Sequence, residues 1–528
     1  MSTPTPAAEF HVDCDLNEPA QMRATGTLKS KFEQNTVLPQ QWSSAPPPHA
    51  TRSWINGAWY RLIALALAFA LFLWHYLARE SSHFNANAFY VNITSPQNIC
   101  PAVDGPGISH SGYIGLRGDS DAAPKRLFFW YSEAEHDAES APVIMTIGGG
   151  PGTSGMMNPM MAQGPCVATE NGTTPNPNRW TEHFNLLALD HPVGVGFSYG
   201  TLVNNSRDAA RDAYDFLQKF FRLYPHLRRN KFVLSGGSYG GTYVPHIATV
   251  IHEQNLALAS GKGHLGAVHI NLESMMVSNP LSDATSHFTW FLQTACYGRV
   301  EMYNASTCAE MYQRLPKCLD SIRFAEQVPG WSVERRAAAH DMCWPLRGGD
   351  THGTVGEDVR KKCIEDEDDP LGCLPQGFRS TQAFFNNPDV KAALGVADNL
   401  NFSMISEEVF AEFAKHGDII QAAYLLYEPL LTAGIRLLHY VGAQDANCNP
   451  HGIMSFLKLL QSPFQEEFLR APDVPWPSAS EATVRVVGEG AGNMTWILID
   501  GAGHFVAHDQ PKLVKSIVEH WVQNVPFN

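Results

Sequence analysis

The stretch FVLSGGSYGGTYVPHIATVIHEQ, residues 232–254, decides the fold. Phe232 to Ser235 read as a short strand that runs straight into Gly236-Gly237-Ser238-Tyr239-Gly240, and a helix pattern begins at Thr242. A G-x-S-x-G pattern gains its meaning from that context of strand, sharp turn and helix. Small residues around Ser238 let the backbone take a strained turn that exposes the hydroxyl, and the positive end of the following helix favours negative charge developing beside it. A second match, Gly196-Phe197-Ser198-Tyr199-Gly200, lacks the context, because a loop separates Ser198 from its strand and a glycosylation sequon follows instead of a helix. Ser198 is expected to be a loop residue.

Outward from this stretch, short apolar runs alternate with helical ones: RLFFWYS (126–132), PVIMTIG (142–148), FNLLALD (184–190), KFVLS (231–235), IRLLHYVG (435–442) and TWILID (495–500). Between them lie amphipathic patterns such as DAARDAYDFLQKFFRLY (208–224), where Ala210, Tyr214, Leu217 and Phe221 recur at helical spacing and are expected to pack. The alternation predicts an α/β fold with a doubly wound, mostly parallel sheet covered on both faces. A serine hydroxyl is a weak nucleophile, so it needs a base, and the base needs an orienting carboxylate. Doubly wound hydrolases carry these downstream in the order Ser, Asp, His, at the carboxyl ends of strands. Asp445 follows IRLLHYVG, and His504 follows TWILID through Gly501-Ala502-Gly503. His451 and His508 compete with His504 but sit in helix-start or loop contexts, as surface histidines do. Directly after PVIMTI comes Gly148-Gly149-Gly150-Pro151-Gly152, where such hydrolases keep a second backbone N–H for an oxyanion; no Lys follows, so a phosphate loop is disfavoured.

Together the residues resemble the serine carboxypeptidases of the α/β-hydrolase fold. The resemblance runs from Ser111-Gly112-Tyr113 to Pro511 and rests on GGPG at Gly149 to Gly152, LDHPVGVGFSY at Leu189 to Tyr199, GGSYGGTYVP at Gly236 to Pro245, NNPDVKAALGV at Asn386 to Val396, GAQDANCN at Gly442 to Asn449 and GAGHFVAHDQP at Gly501 to Pro511. It implies a triad of Ser238, Asp445 and His504, an oxyanion hole made by the N–H groups of Gly150 and Tyr239, and an unpaired thiol at Cys448 near the site. It also implies a helical, disulfide-bonded cap, matching the Cys-rich insertion 286–380 that separates the first part of the hydrolase domain (79–285) from the second (381–528). Family members that remove C-terminal residues hold the substrate carboxylate with a Trp, an Asn and two Glu, at positions matched here by Thr146, Gly148, Gly237 and Ala162. That clamp is therefore missing, and Thr153 stands where the family's glycine loop usually has a Cys. The expected activity is a serine-type carboxypeptidase-like hydrolysis of peptides through an acyl-serine, with no metal or organic cofactor. A serine carboxypeptidase-like acyltransferase or esterase, or a non-catalytic binding module on the same fold, are the alternatives.

Residues 1–61 are rich in Pro, Ser, Thr and Ala and are expected to be disordered. Leu62 to Ala78, LIALALAFALFLWHYLA, has no formal charge and is flanked by Arg61 and Arg79 and by Trp and Tyr at both ends. It reads as an uncleaved transmembrane signal anchor of about 25 Å, with a buried core helix as the alternative. The sequons at Asn92, Asn171, Asn204, Asn304, Asn401 and Asn493 all follow this run, as do nine of the ten cysteines, which points to a lumenal or extracellular body with disulfides. Setting aside Cys14 and Cys448 leaves eight cysteines, enough for four disulfides of open connectivity. Arg335-Arg336 and Lys361-Lys362 in the insertion are candidate processing sites or solvated basic patches, and Glu365 to Asp369 an acidic surface loop. The 528 residues are 44% hydrophobic and 17% charged, which suits a large packed core and excludes a disordered chain. With 37 Lys and Arg against 52 Asp and Glu, the net charge of -15 repels phosphate backbones, so nucleic acid is not an expected partner.

Overall fold

Each of the six apolar runs forms a strand. The computed structural model describes residues 89–101, 108–327, 332–363 and 371–527. Among them the strands in chain order are β1 (Val91–Thr94), β2 (Ser109–Gly115), β3 (Lys125–Ser132), β4 (Val143–Ile147), β5 (Cys166–Thr169), β6 (Gly172–Pro175), β7 (Asn185–Leu189), β8 (Tyr199–Gly200), β9 (Phe232–Gly237), β10 (Leu272–Ser278), β11 (Thr354–Val355), β12 (Asp358–Lys362), β13 (Arg436–Gly442), β14 (Val474–Trp476), β15 (Ala479–Val487) and β16 (Met494–Ile499). One sheet runs β1-β2-β3-β7-β4-β9-β10-β13-β16-β15-β14, with β8 beside β3. Its centre, from β7 to β16, is parallel throughout, and antiparallel strands flank it on both sides.

Parallel strands buried on both faces read as continuous apolar runs rather than as alternation, which is why PVIMTI and FNLLAL look alike. Val143, Met145 and Ile147 join Leu187, Leu189 and Leu234 in one core, while Ile144 joins Leu186, Val233, Met276 and Leu438 in another. The helix Ser206–Leu223 begins where the Asn205 side chain accepts from the Asp208 N–H, and it buries Ala210, Leu217 and Phe221 in the first of these cores; Tyr214 is only partly covered. β10, at the heart of the sheet, went unread because LESMMVS carries few β-branched residues. The edges of β9 and β13 make it a strand.

The strands reached after β4, β7 and then β9, lie on its two sides, so strand order reverses at β4. Beyond the carboxyl ends of strands at such a reversal an α/β sheet opens the crevice that holds its site.

Between β10 and β13 the Cys-rich insertion supplies the helices Ala284–Tyr297, Ala305–Glu326 and Val333–Cys343 and then the β11–β12 hairpin. Disulfides Cys296–Cys308, Cys318–Cys343 and Cys363–Cys373 staple it, and Cys100–Cys166 ties the chain ahead of β2 to β5. Cys448 is buried and unpaired, in keeping with the resemblance. Arg335-Arg336 lies within the helix Val333–Cys343 rather than in a loop, whereas Lys361-Lys362 is exposed on β12. The expected tail, the run Leu62 to Ala78 and the acidic stretch Glu365 to Asp369 lie outside the described residues. No helix among those described is long and apolar enough to cross a membrane.

Candidate active site

The turn after β9 does what its glycines suggested. Ser238 sits at φ +57°, in the left-handed region, at a cost of about 1–3 kcal/mol for a residue with a side chain. Three backbone bonds hold it there: Ser238 N–H donates to Ser278 O (3.0 Å), and Ser238 O accepts from the N–H groups of Gly241 (2.8 Å) and Leu281 (2.8 Å). The glycine loop after β4 packs directly on this turn. A Cβ at Gly149 would lie 2.6 Å from Gly237 O and 2.8 Å from Ser238 Cβ. Gly150, at φ +106°, belongs to this loop, and Tyr239 heads the helix Gly240–Ala259, so the two candidate oxyanion donors come from adjacent strand ends. Behind the loop, Ser154 Oγ donates to the fully buried Asp190, which also accepts from Phe197 N–H (2.9 Å); burial pushes that carboxyl up to about 7.

Asp445 follows β13 and His504 follows β16, neighbours in the sheet. His504 Nδ1–H donates to Asp445 Oδ2 (2.6 Å), which leaves Nε2 as the basic nitrogen. Every lone-pair direction of the carboxylate is used: Oδ2 also accepts from Asn279 Nδ2 (2.6 Å), and Oδ1 from the N–H groups of Asn447 (2.8 Å) and Cys448 (3.1 Å). Burial pushes the imidazole pKa down, but the charge and hydrogen bond of Asp445 and the charge of Glu357 outweigh it, with Arg347 opposing, and the net shift is upward from 6.5. Burial pushes the Cys448 thiol well up, helped by the Asp445 charge, and the Ser238 hydroxyl is its hydrogen-bond neighbour. Asp445, Cys448 and His504 bring donor atoms within 4.8 Å of one another, a spacing a metal ion could bridge. The carboxylate and Nδ1 are already committed to one another, however, and the thiol stays protonated, so the trio is an acid–base pair beside a neutral thiol rather than a ligand set.

Of the four clamp positions, Thr146, Gly148 and Ala162 are buried and Gly237 is half-buried. Thr146 Oγ1 accepts from Asn158 Nδ2 (2.7 Å), and the Ala162 carbonyl accepts from Asn176 Nδ2 (2.7 Å). A Cβ at Gly148 would meet Thr153 O at 2.0 Å, and one at Gly237 would meet Ser278 Oγ at 2.6 Å. A cavity of about 450 Å³ lies between Met160, Met161, Glu170, Gln376, Ser380 and His508 and contains no Lys or Arg.

Ser198 is a buried loop residue whose hydroxyl donates to Asp190 O (2.7 Å) and accepts from Phe128 N–H (2.8 Å). His451 stacks on Trp290, and His508 pairs with Asp509 (3.2 Å), so neither replaces His504. Of the sequon residues, Asn92, Asn171, Asn304 and Asn401 are exposed, while Asn204 and Asn493 are half-buried. Sequence reasoning missed Asn279, which also accepts from Gly442 N–H (3.1 Å) and so locks Asp445 to the end of β13. Its signal was present in the Asn279-Pro280 pair directly after LESMMVS. Glu357 and Arg347 carried no local signal.

The family model described as serine carboxypeptidase matches residues 101–524. The chain is 30% identical over 422 residues to a carboxypeptidase Y homolog A of Ajellomyces capsulatus, covering 78% of this chain and 73% of that one. It is 29% identical over 418 residues to a vacuolar serine-type carboxypeptidase of Saccharomyces cerevisiae, covering 78% of each. A solved prohormone-processing carboxypeptidase of Saccharomyces cerevisiae, Kex1, shares the fold with a TM-score of 0.67 at 20% identity, over 82% of this chain and 94% of that one. The matched span contains the elbow at Ser238, the glycine loop and both strand ends that carry Asp445 and His504, and the chain belongs to the serine carboxypeptidase family of enzymes.

Proposed function

We propose that this chain is a serine carboxypeptidase-like hydrolase that cleaves peptides in the secretory pathway through an acyl-serine intermediate. The observation that carries the reading is the bond from His504 Nδ1 to Asp445 Oδ2 (2.6 Å) at the strand ends beside the left-handed turn of Ser238. Ser238 Oγ attacks the scissile carbonyl as its proton passes to His504 Nε2, and the imidazolium is stabilised by Asp445. Charge developing on the carbonyl oxygen is met by the N–H groups of Gly150 and Tyr239. Collapse expels the leaving group, which takes the proton from Nε2; water then repeats the sequence on the acyl-serine and frees Ser238. A fluorophosphonate probe tests this directly, with labelling at Ser238 expected and absence of labelling in folded protein favouring a binding module.

The residues at the clamp positions favour a second reading of the same chemistry, an esterase or an acyltransferase in which an alcohol or amine replaces water. Thr146, Gly148, Ala162 and Gly237 carry no carboxyl that could share a proton with a substrate carboxylate. Turnover of a library of free-acid peptides, blocked peptides and acyl esters separates the readings.

The run Leu62 to Ala78, the sequons and the four disulfides support a single-pass anchor with a lumenal or extracellular body. Retention in the membrane pellet after alkaline carbonate, with a mass decrease on glycan removal, is the expected result.

A further inference from the structure

The β11–β12 hairpin reaches out of the Cys-rich insertion and binds both loops that carry the acid and the base. Glu357 O accepts from His504 N–H (2.7 Å). Gly356 O accepts from the N–H groups of Ala446 (2.9 Å) and Asn447 (3.1 Å), and Val359 N–H donates to Gln444 O (3.0 Å). The approach is so close that a Cβ on Gly503 would stand 2.5 Å from Glu357 O and 2.8 Å from Asp358 Cβ. On its outer side Asp358 pairs with Arg360 (2.7 Å) and Lys361 (3.3 Å), whose other partner, Asp509, accepts from Gly503 N–H (2.8 Å).

Side chains continue the connection. Asn447, whose backbone N–H donates to Asp445, also donates from Nδ2 to Glu357 Oε1 (3.4 Å) and accepts at Oδ1 from Arg347 (2.5 Å). Glu357 and Arg347 are both half-buried, and the Arg347 guanidinium lies over the Trp344 ring, 4.8 Å from its centre. Two opposite charges from the insertion thus meet at one amide above the acid–base pair.

We propose that this hairpin is a positioning element of the reaction, with Glu357 and Arg347 as a pair of opposed charges that sets when His504 can accept a proton. The proposal rests on Ser238, Asp445 and His504 being the catalytic set. The charged and titratable groups around His504 are Asp445 from the β13 loop, the Cys448 thiol, His287 from the helix Ala284–Tyr297, and Glu357 and Arg347 from the insertion, with Asp509 and its two cations behind Gly503. Of these, Glu357 favours the imidazolium and Arg347 disfavours it. His287 is held uncharged by burial, and Cys448 stays neutral, so neither offsets a change at the pair.

The test is kcat/KM against pH on an acyl ester for the full chain and for the variants Glu357→Gln, Arg347→Gln and Glu357→Asp. Fluorophosphonate labelling of Ser238 in the unmodified protein comes first; without it the catalytic reading fails and takes this proposal with it. Given labelling, Glu357→Gln should move the ascending limb to lower pH and Arg347→Gln to higher pH, each by about half a unit, as expected for one charge several ångströms away at intermediate dielectric. Glu357→Asp should leave the limb near its original place. Limbs that stay put in both neutral variants, or move the same way in both, overturn the assignment even where kcat falls, because loosening of the fold does not shift a limb in opposite directions.

Discussion

The floor of the site, meaning the strand ends that carry Ser238, Asp445 and His504, and its wall, meaning the four clamp positions, are built in different ways. On the floor, Asp445 spends all its acceptor directions on His504, Asn279 and two backbone N–H groups, and Ser238 is held by three backbone bonds. On the wall, Thr146 Oγ1 and the Ala162 carbonyl accept from neighbouring asparagines, and a Cβ at Gly148 or Gly237 would meet Thr153 O or Ser278 Oγ. The floor is built from strand ends whose spacing is set by the sheet, so a changed residue there disturbs several partners at once. The wall rests on the same sheet, since Thr146 lies in β4, Gly237 in β9 and Gly148 directly after β4, and it differs from the floor in carrying little or no side chain.

The sharpest way to break the contrast is at the floor. Ser238→Ala should lower kcat for an acyl ester by on the order of 10⁴–10⁶-fold with melting temperature little changed, and Asp445→Asn by about 10⁴-fold with some loss of stability as well. Near-normal turnover in Ser238→Ala would mean the floor is not the seat of the chemistry. Asn279→Ala removes one charge-assisted bond to Asp445 and should cost roughly 10–100-fold in kcat, since such a bond is worth about 1.5–3 kcal/mol. An effect on KM alone would make Asn279 part of the wall.

The wall resists the reverse experiment. Gly148→Asn, which puts back an amide found in relatives, sets a Cβ against Thr153 O and should destabilise the protein by about 2–4 kcal/mol without creating a preference for free acids. Denaturant unfolding, with matched acid and amide substrates, measures both. A milder expectation concerns pH. His504 must be neutral to act, and its pKa is raised, so kcat/KM should climb with pH through a value above 6.5 and then level off. The smallest expected effect is the most telling for recognition: free-acid and amide or ester substrates should differ by only about threefold in kcat/KM, because no paired carboxyls share a proton with the substrate. An acid optimum confined to free acids would show that the wall is rebuilt from elsewhere.

What the sequence made legible follows the same division. That Ser238, Asp445 and His504 lie just beyond strand ends of one sheet could be read because each comes a few residues after a strand-like apolar run. Strand β10 could not, since its identity comes from neighbours more than 30 residues away in sequence on one side and far more on the other. Asn279, at its end, was missed along with it despite the Asn-Pro pair. The contact between Glu357 and His504 joins segments with no shared periodicity, and the pairing of eight cysteines is one of 105 arrangements that spacing alone does not distinguish.

The disulfide pattern gives the two dibasic pairs unequal consequences. A backbone break at Arg336 falls inside the span of Cys318–Cys343, so the pieces stay covalently joined. None of the described disulfides spans Lys362, and a break there yields a piece carrying Ser238 and another carrying Asp445 and His504, joined only by contacts such as β10 against β13. The halves of such a nicked molecule stay together while it is folded but part on the first complete unfolding, so its remaining lifetime is set by an unfolding rate rather than by an equilibrium. One peptide bond on an exposed strand would thereby turn a repairable enzyme into a single-use one.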